Sequence, residues 1–281
     1  MISNVSSSNS AFFESKPCAS TLTDRNHQLK HPSADEYNVL ALLYKEKNLN
    51  KKVIECYLKA LSAREETCGL LDKKTANSYN NLADAYAEDG SRLQALKFYI
   101  KALRLKEKFF GLNHPQVASI YSNMANIYFE DNNFEKALNL YKKSLKIRLE
   151  ELGTDNILTA KSYQELGYFY ASSEEYELAL PFFEKAVDIR IKLLKVSHPD
   201  TATSYNNVAI CYYHLFQYKK AKDALVNTIK IRSKILNSKD TTLISAKKNL
   251  KEIKKQISRE KKQNGFSFFR QFFESKATVT S

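Results

Sequence analysis

TANSYNNLADAY, residues Thr75 to Tyr86, opens a stretch that runs to Gln116 and in whose image most of the chain is spelled. After Gly90 the stretch continues as Ala95-x-x-x-Tyr99-x-x-Ala102. The pattern returns every 42 residues, with Tyr37, Tyr79, Tyr121, Tyr163 and Tyr205 in register. Tyr44, Tyr86, Tyr128, Tyr170 and Tyr212 form a second series. Leu40, Leu82, Met124, Leu166 and Val208 form a third, and Ala41, Ala83, Ala125, Gly167 and Ala209 a fourth. A fixed self-similar period settles the architecture before any other feature is read.

Within each unit the apolar spacing is that of an amphipathic helix. In the second unit, helix A is expected over about residues 75–88 and helix B over about 93–110. Asp89-Gly90-Ser91 separates them, as Asn132-Asn133 and Ser172-Ser173 do in later units, and so short a link makes the pair an antiparallel hairpin. The small residue at Ala83, Ala125 or Gly167 lets helix A approach helix B, while the rings of Tyr86 and Tyr99 fill the space between. A single hairpin cannot bury its stripe, so the units must stack, each touching its neighbours.

These residues resemble the tetratricopeptide repeat, with Tyr at its first aromatic position and Ala mostly in place of its Gly. The 42-residue period and the loops Gly111-Leu112-Asn113-His114-Pro115 and Ser197-His198-Pro199-Asp200 resemble the repeat class of kinesin light chains and nephrocystin-3-like proteins. The resemblance implies an all-α, right-handed superhelix of five helical hairpins with a C-terminal capping helix. The repeats are expected at 33–74, 75–116, 117–158, 159–200 and 201–242, and the basic cap at 243–262. The first repeat is the most worn, with Val53 in place of the helix B alanine. Pro181 inside the fourth helix B predicts a bend. Residues 1–32, rich in Ser and Asn, read as a disordered leader. They carry no heptads of the kind a kinesin light chain places ahead of its repeats, so a motor-subunit role is not expected.

Six Gly and five Pro in 281 residues, with 43% hydrophobic content, suit an all-helical chain with a sizeable core. No run of apolar residues is long enough to span a membrane. Cys18, Cys56, Cys68 and Cys211 show no C-x-x-C pairing, and scattered thiols point to a reducing, cytoplasmic setting. The net charge of +13 is concentrated at the end, where residues 243–281 hold ten Lys or Arg against three Glu. Asn264-Gly265 is expected to break the cap, leaving a tail with Phe266, Phe268, Phe269, Phe272 and Phe273. Folding back on the solenoid, docking on a partner and shallow membrane contact all remain open for those rings.

No phosphate loop, H-E-x-x-H, G-x-S-x-G or paired metal-ligand spacing is present, and no catalytic residue, cofactor or metal is expected. His31, His114 and His198 each precede a proline in separate loops and read as turn formers. The resemblance implies that the A helices line a concave groove. The matching polar positions are Asn77, Asn80, Asn81, Asp84, Ser119, Ser122, Asn123, Asn126, Lys161, Gln164, Glu165, Asn206 and Asn207. An asparagine amide both donates and accepts, so a row of them can pair with an extended peptide backbone. The alternative for some of them is a bridge between one repeat and the next. On this reading Ser122 faces the groove and tolerates enlargement, while Ala125 faces helix B and does not. The expected function is a non-catalytic adaptor that holds a peptide segment of another protein, with no small-molecule substrate. The alternative function is contact with an anionic surface, membrane or nucleic acid, through the Lys-rich helix and Phe-rich tail.

Overall fold

The computed structural model describes residues 32–277, with side chains as far as Lys262. The leader, apart from Pro32, and the side chains of the Phe-rich tail lie outside the described residues. Eleven helices follow one another: α1 (Ala34–Glu46), α2 (Asn50–Cys68), α3 (Lys73–Glu88), α4 (Arg92–Phe110), α5 (Pro115–Glu130), α6 (Phe134–Leu152), α7 (Ile157–Ser172), α8 (Tyr176–Leu194), α9 (Pro199–His214), α10 (Tyr218–Ile235) and α11 (Thr241–Ala277). Odd-numbered helices are the A members and even-numbered ones the B members, and each pairs with its neighbours in chain order. None of the described helices is long and apolar enough to cross a membrane.

The turn from A to B is the same in all five hairpins. Asn48, Gly90, Asn132, Glu174 and Phe216, spaced by the repeat period, all have positive φ, between 54° and 82°. The next residue donates its N–H to the carbonyl of Tyr44, Tyr86, Tyr128, Tyr170 or Tyr212 at 2.8–3.0 Å. This is a Schellman ending, and it satisfies carbonyls that a helix end leaves orphaned. Glycine and asparagine adopt this conformation readily, whereas Glu174 and Phe216 hold it against their Cβ.

The return from B to A uses a different device. Gly69, Gly111 and Gly153 end α2, α4 and α6 with φ of 76–87° and nearly extended ψ, a region all but closed to other residues. Each A helix then starts on a side-chain cap: Ser33 in a capping box, Asp72, His114, Asn156 and His198. His114 and His198 accept from the N–H two residues on through Nδ1, with Pro115 and Pro199 at the first helical position. Shaping the turn accounts for both histidines, and His31 lies outside the described residues. Thr75, Thr159 and Thr201 are fully buried and tie the link by donating to the carbonyls of Gly69, Gly153 and Lys195.

Core packing follows the small-residue rows. Ala83 and Ala125 on A helices, and Ala95, Ala137, Ala179 and Ala221 on B helices, are completely buried. Tyr99, Tyr141, Phe183 and Leu225 fill the space that the A-helix row leaves open. α8 continues through Pro181, which stands on its exposed side. Leu243, Ala246 and Ile253 of α11 are buried, while Lys247 and Lys251 face outward as expected of a cap. One expectation is corrected: α11 does not stop at Asn264-Gly265 but runs on to Ala277. A single interior glycine costs a helix only about 1 kcal/mol, too little to end one flanked by good helix formers.

Candidate functional site

A helices touch directly along the stack, α3 meeting α5 and α5 meeting α7. The polar residues expected along a groove are drawn there into three hydrogen-bonded groups, each spanning two repeats.

The first group centres on Asp84. Its Oδ1 accepts from the Tyr99 hydroxyl and from Asn123 Nδ2 at 3.1 Å, and its Oδ2 accepts from Asn80 Nδ2 at 2.9 Å. Burial pushes the Asp84 carboxyl up to about 6, against the Tyr99 bond and with help from the nearby Glu88 charge. One repeat later, Asn126 stands at the equivalent position, accepts from the Tyr141 hydroxyl at 2.5 Å and is otherwise exposed.

Arg148 of α6 organises the second group. Its guanidinium donates to Ser162 Oγ at 2.6 Å, to the Leu158 carbonyl at 3.2 Å and to Ser119 Oγ at 3.3 Å, and lies 3.7 Å from Glu165. Glu165 also accepts from Ser122 Oγ at 2.5 Å and has Lys161 Nζ at 3.8 Å. Arg148 is 1% exposed, and desolvation lowers its pKa, while the Glu165 charge acts in the opposite sense. A third group joins Arg190 of α8 to Gln164, Ser204 and the Asp200 carbonyl. Gln164 donates to the Tyr168 hydroxyl at 3.2 Å, and Asn207 Nδ2 donates to the same oxygen at 2.9 Å.

Two groove positions are corrected. Ser122 is 0% exposed and Asn207 is 5% exposed, both turned into the contact between repeats and not toward a groove. Their partners, Glu165 and Tyr168, belong to adjoining repeats and draw them inward. Asn123 and Asn80 are half-buried with their donors committed to Asp84, and Ser119 is engaged by Arg148. Asn77 is exposed, Asn81 and Asn206 are half-buried, and none of the three has a side-chain hydrogen bond among the described residues. Lys161 is also exposed, tethered only to Glu165.

Sequence reasoning missed the cations beneath this face. Arg64, Lys106, Arg148, Arg190 and Arg232 recur at the repeat period on the B helices. Arg148, Arg190 and Arg232 each donate to the carbonyl ten residues on, in the first turn of the next A helix: Leu158, Asp200 and Thr242. Arg64 instead pairs with Asp35. A basic residue recurring within an apolar stripe was the available signal. Among the described residues no group of three or more His, Cys, Asp or Glu could hold a metal ion.

Sequence profiles described as tetratricopeptide repeat match residues 74–150 and 157–234, and a second such profile matches residues 35–67. No curated protein matches the sequence. Among solved structures, BtubC (BKLC) from P. vanneervenii is 24% identical with a TM-score of 0.63, over 74% of this chain and 84% of that one. A putative kinesin light chain from Podosopora anserina with nearly identical TPR-like repeats is 20% identical with a TM-score of 0.60, over 71% of this chain and 94% of that one. Aspartyl phosphate phosphatase F from Bacillus subtilis is 17% identical with a TM-score of 0.66, over 86% of this chain and 60% of that one. At these identities the likeness is one of fold. The chain belongs to the tetratricopeptide repeat family, whose domains commonly serve as protein-interaction modules.

Proposed function

We propose that the protein is a non-catalytic adaptor whose inner face, along α3, α5, α7 and α9, holds an extended peptide segment of a partner protein. The observation that carries this reading is the division of labour among the polar residues. Asp84 with Asn123, Arg148 with Glu165, Arg190 with Gln164, and Asn207 with Tyr168 are committed to one another and stiffen the floor. Asn77, Asn81 and Asn206 keep their amides uncommitted on the same helices. Amides already held on a rigid surface bind a peptide backbone with less ordering cost than mobile ones. Combined Asn77→Ala, Asn81→Ala and Asn206→Ala substitution should leave the melting temperature within a degree or two of wild type and abolish capture of partner peptides. Undiminished capture by the triple variant would move the binding surface elsewhere.

A second reading, contact with an anionic surface, is favoured by one observation on α11. Lys251, Lys254, Lys255, Ser258 and Arg259 line a shallow open depression there. Binding through this helix should weaken steeply with salt, since neutralised phosphates release counterions. Binding to anionic vesicles or to DNA that survives high salt, or that survives removal of residues 243–281, would rule it out.

A further inference from the structure

Val39, Leu40, Leu42 and Leu43 of α1 are between 37% and 55% exposed and lie together on one side of the helix. At the registers of Leu40 and Leu43 the next repeats also carry apolar residues, and there they are buried: Leu82 and Ala85 in α3, Met124 and Ile127 in α5. What those helices have and α1 lacks, among the described residues, is a helix B before them, since α2 packs on α3 and α4 on α5. At the register of Val39, by contrast, the later repeats are polar, with Asn81, Asn123, Glu165 and Asn207. The first repeat thus makes its outer flank more apolar than its copies do. The other end of the stack does the reverse, with Lys247 and Lys251 exposed on α11, as the end of a solenoid in water requires.

Four half-exposed aliphatic side chains fall well short of the about 800 Å² that each partner buries in a stable complex of two chains. A segment already attached needs far less area, because a short tether holds it at a high effective concentration. The chain enters α1 through Pro32, and the sequence before it offers matching residues. Val53, Ile54, Ala60 and Leu61 are residues that α2 turns into the core. One repeat period earlier stand Ala11, Phe12, Cys18 and Ala19, small or apolar at each place. Pro17 falls at the register of Lys59, which is exposed, just as Pro181 stands on the exposed side of α8. Leu22 and Pro32 are ten positions apart, and ten extended residues span up to about 35 Å, against about 20 Å for the whole of α1.

We infer that the chain's own residues 11–22 dock across the outer flank of α1, in the place that the helix B of a preceding repeat takes elsewhere, with Phe12 as the main apolar contact. The segment closes the apolar end of the stack, independently of what the repeats bind. Burying one phenylalanine slows local opening of the helix it covers by about tenfold or more.

The test places photoreactive benzoylphenylalanine at position 12 of the full chain, in an equal mixture of isotope-labelled and unlabelled protein. Mass spectrometry should find crosslinks from position 12 to α1 within one chain. Crosslinks that join labelled to unlabelled chains would make a second copy the occupant. Crosslinks only to other helices, or none, would leave the flank of α1 to something else, and each of these results overturns the inference. Hydrogen exchange gives an independent reading. Phe12→Asp should speed exchange of the α1 amides by about tenfold or more. Leu43→Asp should do the same, its side chain being exposed and outside the core, and the two together should do no more than either alone. Unchanged exchange in Phe12→Asp, or two effects that multiply, would sink the docking. Exchange in α5 to α10 should stay at the wild-type rate in every variant, and acceleration there equal to that in α1 would overturn a local cover.

Discussion

Lys195 follows Gly153 by one repeat and takes the same backbone conformation, φ 69° and ψ 163° against φ 76° and ψ −177°. Its carbonyl is held by the Thr201 hydroxyl at 3.2 Å, as that of Gly153 is held by Thr159 at 2.9 Å. The neighbours therefore impose the conformation on a residue that resists it. Adding a Cβ at Gly69, Gly111 or Gly153 would meet no atom within 4 Å, so the penalty belongs to the backbone alone. Such a residue stores about 1–3 kcal/mol, and glycine returns part of that through its floppier unfolded chain. Lys195→Gly should raise stability by about 1–2 kcal/mol, read as a higher urea midpoint at unchanged slope. A lower midpoint would mean that the lysine side chain stabilises the link in some other way.

Gly167 and Phe183 are matched to each other. A Cβ built on Gly167 would lie 2.6 Å from a Phe183 ring carbon, although the equivalent pairs Ala125 with Tyr141 and Ala83 with Tyr99 coexist. The hydroxyls of those tyrosines are drawn to Asn126 and Asp84. Phe183 has no hydroxyl, and Tyr168 stands at the acceptor position, edge-on to its ring at 5.3 Å. The ring settles over the glycine instead. Gly167→Ala should cost about 1–2 kcal/mol, overpacking outweighing the better helix propensity. Phe183→Leu in the same chain should relieve the clash, and a double-mutant cycle should give a coupling above about 0.5 kcal/mol. Additive effects would dissociate the two residues.

Hairpin boundaries were legible in the sequence because backbone geometry dictates them. Gly90 at the Schellman turn, Gly111 at the return and Pro115 at the start of α5 mark three such points. The core was legible for the same reason, since Ala83, Ala125 and Ala137 recur wherever helices close on each other. Which polar residues face a groove was less so. Ser122 and Asn126 lie one turn apart, yet Ser122 is buried and Asn126 exposed. What separates them is Glu165 in the next repeat, a contact across 43 positions that no local pattern encodes. The cation ladder was not legible because charged side chains are almost never fully buried, whereas Arg148 is among the most buried of the described side chains.

Ser122 also reverses an expectation about enlargement. Ala125 and Ser122 are both fully buried, so leucine at either position overpacks the interior at about 1–3 kcal/mol. Ser122→Leu additionally removes a donor to Glu165, beside the buried Arg148. Losing one partner of a buried charged bond adds about 1–3 kcal/mol. Ser122→Leu should therefore be at least as damaging as Ala125→Leu. Hydrogen exchange should show protection falling in the third and fourth repeats together, because Glu165 and Arg148 join them. A mild Ser122→Leu phenotype would place that side chain outside the contact between repeats.

Asp84 gives the chain a pH dependence whose sign can be worked out. Its carboxyl, with an ordinary value of 3.8, is pushed up to about 6 in the fold, chiefly by burial. The folded state thus holds a proton more tightly than the unfolded state, and stability falls as pH rises from about 4 through about 6. Raising the pH further changes this contribution little, since both states are then ionised. A shift of about two pKa units corresponds to roughly 3 kcal/mol, an upper bound where the inner face admits water. The repeat itself suggests the variant: Asn126 occupies the same register and takes the Tyr141 hydroxyl as Asp84 takes that of Tyr99. Asp84→Asn should leave stability near wild type at pH 4.5 and exceed it by roughly 1–3 kcal/mol at pH 7.5. Denaturant titrations of both proteins across that range should show the gap opening between about pH 4 and 6. A gap of constant size would mean that Asp84 does not titrate there, and that its bonds to Tyr99, Asn80 and Asn123 hold it ionised throughout.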